Sequence, residues 1–110
     1  MTAPAFQAGI VTEDGTLTGN TATVVFTATG ATYIRVITAT DNAAGGPTVT
    51  VDKYDGTSAY VMRRAAAVPL TLDTPFLLPV GWKIRLTSSN ASGLIDWSIT
   101  YDPPAAARIR

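Results

Sequence analysis

Histidine and cysteine are both missing from the 110 residues. Without His the chain lacks the commonest general base and the commonest metal ligand. Without Cys no disulfide can staple the fold and no thiolate can act as nucleophile or ligand. Charge is scarce as well: 15% of residues are charged, against ~25% in ordinary globular domains. Eight basic and eight acidic residues cancel, so the basic excess that nucleic acid or an anionic membrane surface selects is missing. No run reaches the ~20 apolar residues of a membrane-spanning helix. The first stretch, MTAPAFQAGIVTEDG, has neither the basic start nor the apolar core of a signal peptide. The expectation is synthesis in a cytoplasm and, if the protein leaves, departure as part of something larger.

Catalytic signatures are equally scarce. There is no G-x-S-x-G elbow, phosphate loop or dinucleotide fingerprint. Gly45-Gly46-Pro47 lacks the following Lys-Ser/Thr of a phosphate cradle. Asp41, Asp52, Asp55, Asp73, Asp96 and Asp102 could supply carboxylates for Ca²⁺, but no loop carries the ligand spacing such a site needs. Turn chemistry and the polar faces of strands account for them better. A glycosidase pair needs two carboxylates held close, and nothing in the spacing marks one. The chain reads as a non-enzyme with no cofactor and no metal.

What is present is β-structure. Trp82, Ile84 and Leu86 alternate with Lys83, Arg85 and Thr87. Ile95, Trp97, Ile99 and Tyr101 alternate with Asp96, Ser98 and Thr100. Alternation with period two marks half-buried strands. The loop residues 88–93 lie between the two runs, which predicts a hairpin over Val80–Tyr101. In that register Trp82 opposes Ile99, Ile84 opposes Trp97, and Leu86 opposes Ile95. Both tryptophans then join the core, and Arg85 pairs across the strands with Asp96.

The rest of the chain follows the same pattern. Gly9–Thr12 reads as a short strand ended by the turn signal Glu13-Asp14-Gly15. Ala22–Thr29 and Thr32–Thr40 are β-branched and aromatic strands; the second is apolar on both faces apart from Arg35, as a central strand is. After the loop 41–47, Thr48–Tyr54 and Ser58–Met62 flank an Asp55-Gly56 hairpin turn. Arg63–Ala67 reads as a loop or one helical turn. Val68–Asp73 and Phe76–Val80 complete the set, with Pro69 marking an edge or strand start. Short strands at this spacing predict an all-β, single-domain β-sandwich of jelly-roll type with about eight antiparallel strands. The sandwich spans residues 8–102. An N-terminal arm (residues 1–7) and a C-terminal arm after Pro103-Pro104 (residues 103–110) project from it.

Low charge beside 46% hydrophobic content favours a surface covered by self-association or assembly; the plain alternative is a neutral, Thr-rich surface that covers nothing. The candidate interface residues are Phe6, Arg63, Arg64, Arg108, Ile109 and Arg110, because Arg is enriched at interfaces and binds carboxylates through two bonds. Solvation of a loop and a tail is the competing explanation. Tyr33, Tyr54 and Tyr60 could form a sugar-stacking platform if one sheet exposed them, with Tyr54 and Tyr60 the best placed. Core or subunit contact is the simpler role.

From Tyr33 to Asp102 the order of features carries a resemblance. A strand YIRVITAT precedes a Gly-rich loop, then TVTVDKYDGTSAYVM, then PLTLDTPFLLPVGWKIRLTSS, then LIDWSITYD. The element Leu78, Pro79, Gly81, Lys83, Ile84, Arg85, Leu86 is similar to one in the small β-sandwich structural proteins of tailed-phage virions. The resemblance covers about two-thirds of the chain and implies a virion component with no catalytic residues. Its partners would be itself, as a homo-oligomer, and other virion proteins such as the major capsid or neck and tail proteins. Capsid decoration comes first among the roles it implies. A neck, tail, baseplate or fibre adaptor comes next, and a carbohydrate-binding or adhesin module is the alternative. The expected location is the virion, assembled in the host cytoplasm.

Overall fold

The computed structural model describes residues 9–41, 47–65, 69–90 and 94–104. Within them lie nine strands: β1 (Val11–Thr18), β2 (Thr23–Thr27), β3 (Thr32–Asp41), β4 (Val49–Tyr54), β5 (Ala59–Ala65), β6 (Leu70–Leu72), β7 (Phe76–Leu78), β8 (Lys83–Ser88) and β9 (Leu94–Asp102). Among the described residues there is no helix. The strands form two sheets. One has the order β1-β9-β3-β6 with β7 also on β3, and the other has the order β2-β8-β4-β5. Every pairing is antiparallel. β6 and β7 follow one another along β3, interrupted by Asp73-Thr74-Pro75, and act as one broken strand. Proline has no N–H to give the ladder, so the break falls there. With β6 and β7 counted together, the strand order is that of a jelly roll.

The core forms where alternation from the two sheets meets. Ile34, Ile37 and Ala39 of β3, Ile95 and Ile99 of β9, Val49 and Val51 of β4, and Ile84 and Leu86 of β8 are fully buried. The other face of the first sheet is hydroxyl-rich and pairs with itself. Thr12 bonds Thr100 at 2.9 Å, Thr38 bonds Ser98 at 2.7 Å, and Thr16 donates to Asp96 Oδ1 at 2.8 Å. This face is thus Thr-rich, with the carboxylate of Asp96 among the hydroxyls. Large apolar exposure is confined to scattered positions such as Val61, Leu77 and Val80.

Four local expectations are corrected. β8 and β9 are not a hairpin: β8 lies between β2 and β4, and β9 lies between β1 and β3. Each already has two strand partners, so the two runs sit in different sheets. Ser89 closes β8 against β4, donating N–H to Thr48 O and accepting from Thr48 N–H, both at 2.9 Å. Arg85 consequently meets Asp52, not Asp96. The tryptophans are half-buried at the margin of the core, not inside it. Glu13-Asp14-Gly15 is strand: β1 runs straight through it in register with Trp97 to Ile99 of β9. Arg63 to Ala65 continue β5 instead of forming a loop, with a bulge at Met62 opposite the Val51–Asp52 step. The Asp55-Gly56 hairpin is as expected. Gly56 has φ +103°, and Asp55 Oδ1 accepts from Thr57 N–H at 2.8 Å and Ser58 N–H at 2.7 Å.

Gly15 shows why β1 tolerates a glycine in mid-strand. A Cβ there would sit 2.8 Å from Trp97 Cζ2, so the indole lies close against the bare backbone. Gly15→Val is expected to displace Trp97 and cost about 1–3 kcal/mol, the usual range for overpacking. Urea denaturation with near-UV dichroism of the Trp environment would measure it, and an unchanged midpoint would refute the close fit.

Candidate interface edges and side-chain clusters

Among the described residues, three carboxylates share a cluster with an aromatic ring. On the outer face of the second sheet, the register of β4 with β8 puts Asp52 opposite Arg85. Arg85 Nε donates to Asp52 Oδ1 at 2.9 Å and Nη2 to Oδ2 at 3.4 Å. The guanidinium lies 4.1 Å from the centre of the Tyr54 ring. Asp52 is only 5% exposed; a carboxylate that buried requires its partner. Hydrogen bonding to Asp52 raises the Arg85 pKa above its already high ordinary value.

The second cluster repeats the arrangement on the other sheet. Arg35, at the bulge of β3 against β9, donates to both oxygens of Asp102 at 2.8 and 3.0 Å. It also lies over Tyr33, 5.8 Å from the ring centre. This pair is far more open to water. The hydrogen bond to Asp102 again raises the arginine pKa.

The third cluster lies at the free edge of the sandwich where β1 and β2 face each other. Val11, Glu13, Gly15 and Leu17 alternate onto one side of β1, in register with Tyr101, Ile99, Trp97 and Ile95. Glu13 thus occupies an inward position on an edge strand. Tyr101 donates its hydroxyl to Glu13 Oε2 at 2.5 Å and packs on Phe26, ring centres 4.7 Å apart. Burial pushes the Tyr101 pKa up to about 12, with the bond to Glu13 acting in the same direction. A cleft of about 390 Å³ opens here between Glu13, Phe26, Tyr101 and Pro104. A second, of about 330 Å³, continues along the same seam past Leu17, Val24 and Trp97.

The tyrosines do not form one platform. Lys53 pairs with Tyr60 and Tyr54 with Ala59, so Tyr54 and Tyr60 occupy adjacent register positions and face opposite sides of the sheet. Tyr54 is covered by Arg85 and donates to Gly56 O at 3.0 Å. Tyr60 stacks on Trp82, 5.9 Å between centres at 21°, and Lys53 Nζ lies 5.7 Å from the Trp82 ring. Tyr33 is on the other sheet.

Of the candidate interface residues, Arg63 and Arg64 lie exposed on β5, which among the described residues pairs only with β4. Arg64 Nε reaches Thr50 Oγ1 at 3.3 Å. Phe6, Arg108, Ile109 and Arg110 lie outside the described residues. The Glu13–Tyr101–Phe26 cluster was not anticipated from the sequence. Its signal is the alternation Val11, Glu13, Gly15, Leu17, hidden by reading Glu13-Asp14-Gly15 as a turn. Among the described residues no three His, Cys, Asp or Glu side chains gather into a metal-holding group.

No family model matches the chain, and no curated protein matches it. Among solved structures it is similar to a pentameric capsid protein isolated from metagenomic phage sequences, seen in two crystal structures. Each gives a TM-score of 0.54 at 17% identity over 83% of this chain. The chain spans 60 to 61% of that protein's length. A Bacillus endospore appendage protein that forms disulfide-linked pili aligns over 86% of this chain and 89% of its own, with a TM-score of 0.47 at 14% identity. At such identities the likeness to the capsid protein is one of fold.

The ion pairs and Tyr101 make two predictions. Asp52→Ala is expected to cost about 2–3 kcal/mol, between the range of exposed pairs and that of fully buried ones, whereas Arg35→Ala should leave the melting temperature nearly unchanged. Equal effects in a thermal-melt series would refute the difference in burial. For Tyr101, the fold favours the neutral hydroxyl. Its contribution is complete below the ordinary tyrosine value of about 10 and is lost as pH rises through about 12. Between these values wild type should lose stability faster than Tyr101→Phe; parallel melting curves across that window would refute it.

Proposed function

We propose that the chain is a non-enzymatic structural protein of a tailed-phage virion, working as a homo-oligomer. The observation that supports this reading is the fold likeness, over 83% of the chain, to a pentameric phage capsid protein, beside this chain's own jelly-roll strand order. Jelly rolls recur in viral capsids, where the rigid sandwich is a building block and its edges and loops make contacts. Opposite edges that carry exposed charged side chains, Glu13 on β1 and Arg63 and Arg64 on β5, suit a protein that is covered by copies of itself or by other virion proteins.

Within that class, decoration or cementing of the head comes first and a neck, tail or baseplate adaptor second. A small, near-neutral sandwich suits repeated attachment to a lattice, where many weak contacts add through avidity. In this reading the terminal arms, residues 1–7 and 103–110, grip neighbouring subunits. A sugar-binding role is not favoured, because Tyr54 and Tyr60 face opposite sides of their sheet.

Purified particles of the phage that encodes the chain are expected to contain it in many copies by quantitative mass spectrometry, with immunogold label on the head. Removing residues 103–110 should leave the melting curve intact and reduce particle occupancy. Absence of the chain from particles would refute the virion role, and label confined to the neck or tail would move it to the adaptor role.

A further inference from the structure

Two of the three carboxylate–aromatic clusters hold an arginine, Arg85 on Asp52 with Tyr54 and Arg35 on Asp102 with Tyr33. The third, Glu13 with Tyr101 and Phe26, has no cationic partner among the described residues. A cleft of about 390 Å³ leads to it. On the far edge of the four-stranded sheet, Arg63 stands exposed on β5. Among the described residues no carboxylate pairs with it.

We propose that the Glu13–Tyr101–Phe26 cleft of one copy takes the Arg63 guanidinium of a second copy, in a head-to-tail contact. This deepens the self-assembling role proposed above and rests on it. The chemistry is that of the two complete clusters. Tyr101 donates to Oε2 only, which leaves Oε1 and the remaining lone pairs for the forked donors of a guanidinium. A planar guanidinium also stacks on aromatic faces in a way an ammonium does not; half-buried Tyr101 lines the cleft, backed by buried Phe26. Val24, which lines the cleft, and Val61, two residues before Arg63, are 44% and 57% exposed. Both add exposed apolar area to the two edges, although Val61, opposite Asp52, faces the other side of β5 from Arg63, opposite Val51.

The edges themselves argue for a side-chain contact over a shared sheet. β2 carries a bulge at Val25 and β5 one at Met62. Bulges break the regular row of donors and acceptors that strand addition needs. Donor and acceptor lie on opposite edges of one molecule, so each docked copy still presents one of each. Such a heterologous contact closes into a ring if the rotation allows and otherwise runs on.

The test is sedimentation of the full-length chain over a concentration series, with thermal melts to establish folding. Glu13→Arg and Arg63→Glu should each raise the apparent dissociation constant about tenfold or more. Combining them should return it to within about threefold of wild type, because the pair is re-formed with its charges exchanged. Glu13→Gln keeps the volume and the bond from Tyr101, and should weaken association even if Glu13→Arg fails to fold. Association unchanged in Arg63→Glu would overturn the proposal, and loss on Arg108→Ala/Arg110→Ala in its place would assign the cleft to the C-terminal arm. A folded double variant no tighter than the single ones would also overturn it. A strictly monomeric wild type would overturn this contact while leaving the virion role to the particle experiment.

Discussion

Everything in this molecule depends on two sheets meeting across a single apolar layer. With no cysteine in the sequence, burial and packing must hold the sheets together without a covalent staple. The layer is built from β-branched and leucine side chains placed on the central strands of both sheets: Ile34 and Ile37, Val49 and Val51, Ile84 and Leu86, Ile95 and Ile99. Such residues lose little rotamer freedom on a pleated surface and pack well against each other. A sequential pair of strands, β8 and β9, feeds opposite sheets.

The sequence pattern determined which side chains point inward but not which strand lies beside which. Ile84, Leu86, Ile95 and Ile99 are buried as their alternation requires. Yet they were paired in one hairpin when they belong to two sheets. Alternation is a property of one strand, and it is satisfied equally by a neighbour in the ladder or by a sheet 10 Å away across the core. Proximity in sequence favoured the hairpin, and the two flanking strands on each side overruled it. The Asp55-Gly56 turn was readable because its chemistry is local: a positive φ at Gly56 and an aspartate that accepts from two N–H groups. Glu13-Asp14-Gly15 has the same composition without that role. Its backbone is committed to β9, and its glycine is there to make room for Trp97.

The candidate site was legible only in part, and for the same reason. Arg63 and Arg64 could be named as exposed cations from residue type alone, and they do lie on a free edge. What they could meet could not be read, because a carboxylate becomes a site through the rings around it. Glu13 acquires Tyr101 from the other end of the chain and Phe26 from the other sheet. Tyr54 and Tyr60 illustrate the reverse. Both are near the surface and only six residues apart in sequence, but the hairpin between them sends their rings to opposite faces.

A sandwich that is not closed into a barrel must deal with its edges, and this one uses different means on each side. At the β5 edge there are a bulge and two arginines; at the β2 edge there is a bulge, and beside it β1 contributes a glutamate held by a tyrosine. Bulges and charges are the usual defence against indiscriminate strand pairing. When the charges on the two edges are of opposite sign, the same defence becomes selective. In the proposed contact like edges would repel and unlike edges attract, which favours an association in which every copy faces the same way around. In a chain whose net charge is +0, long-range attraction contributes little. Selectivity then falls to short-range pairs of this kind, where a guanidinium, a carboxylate and a ring must come together at once.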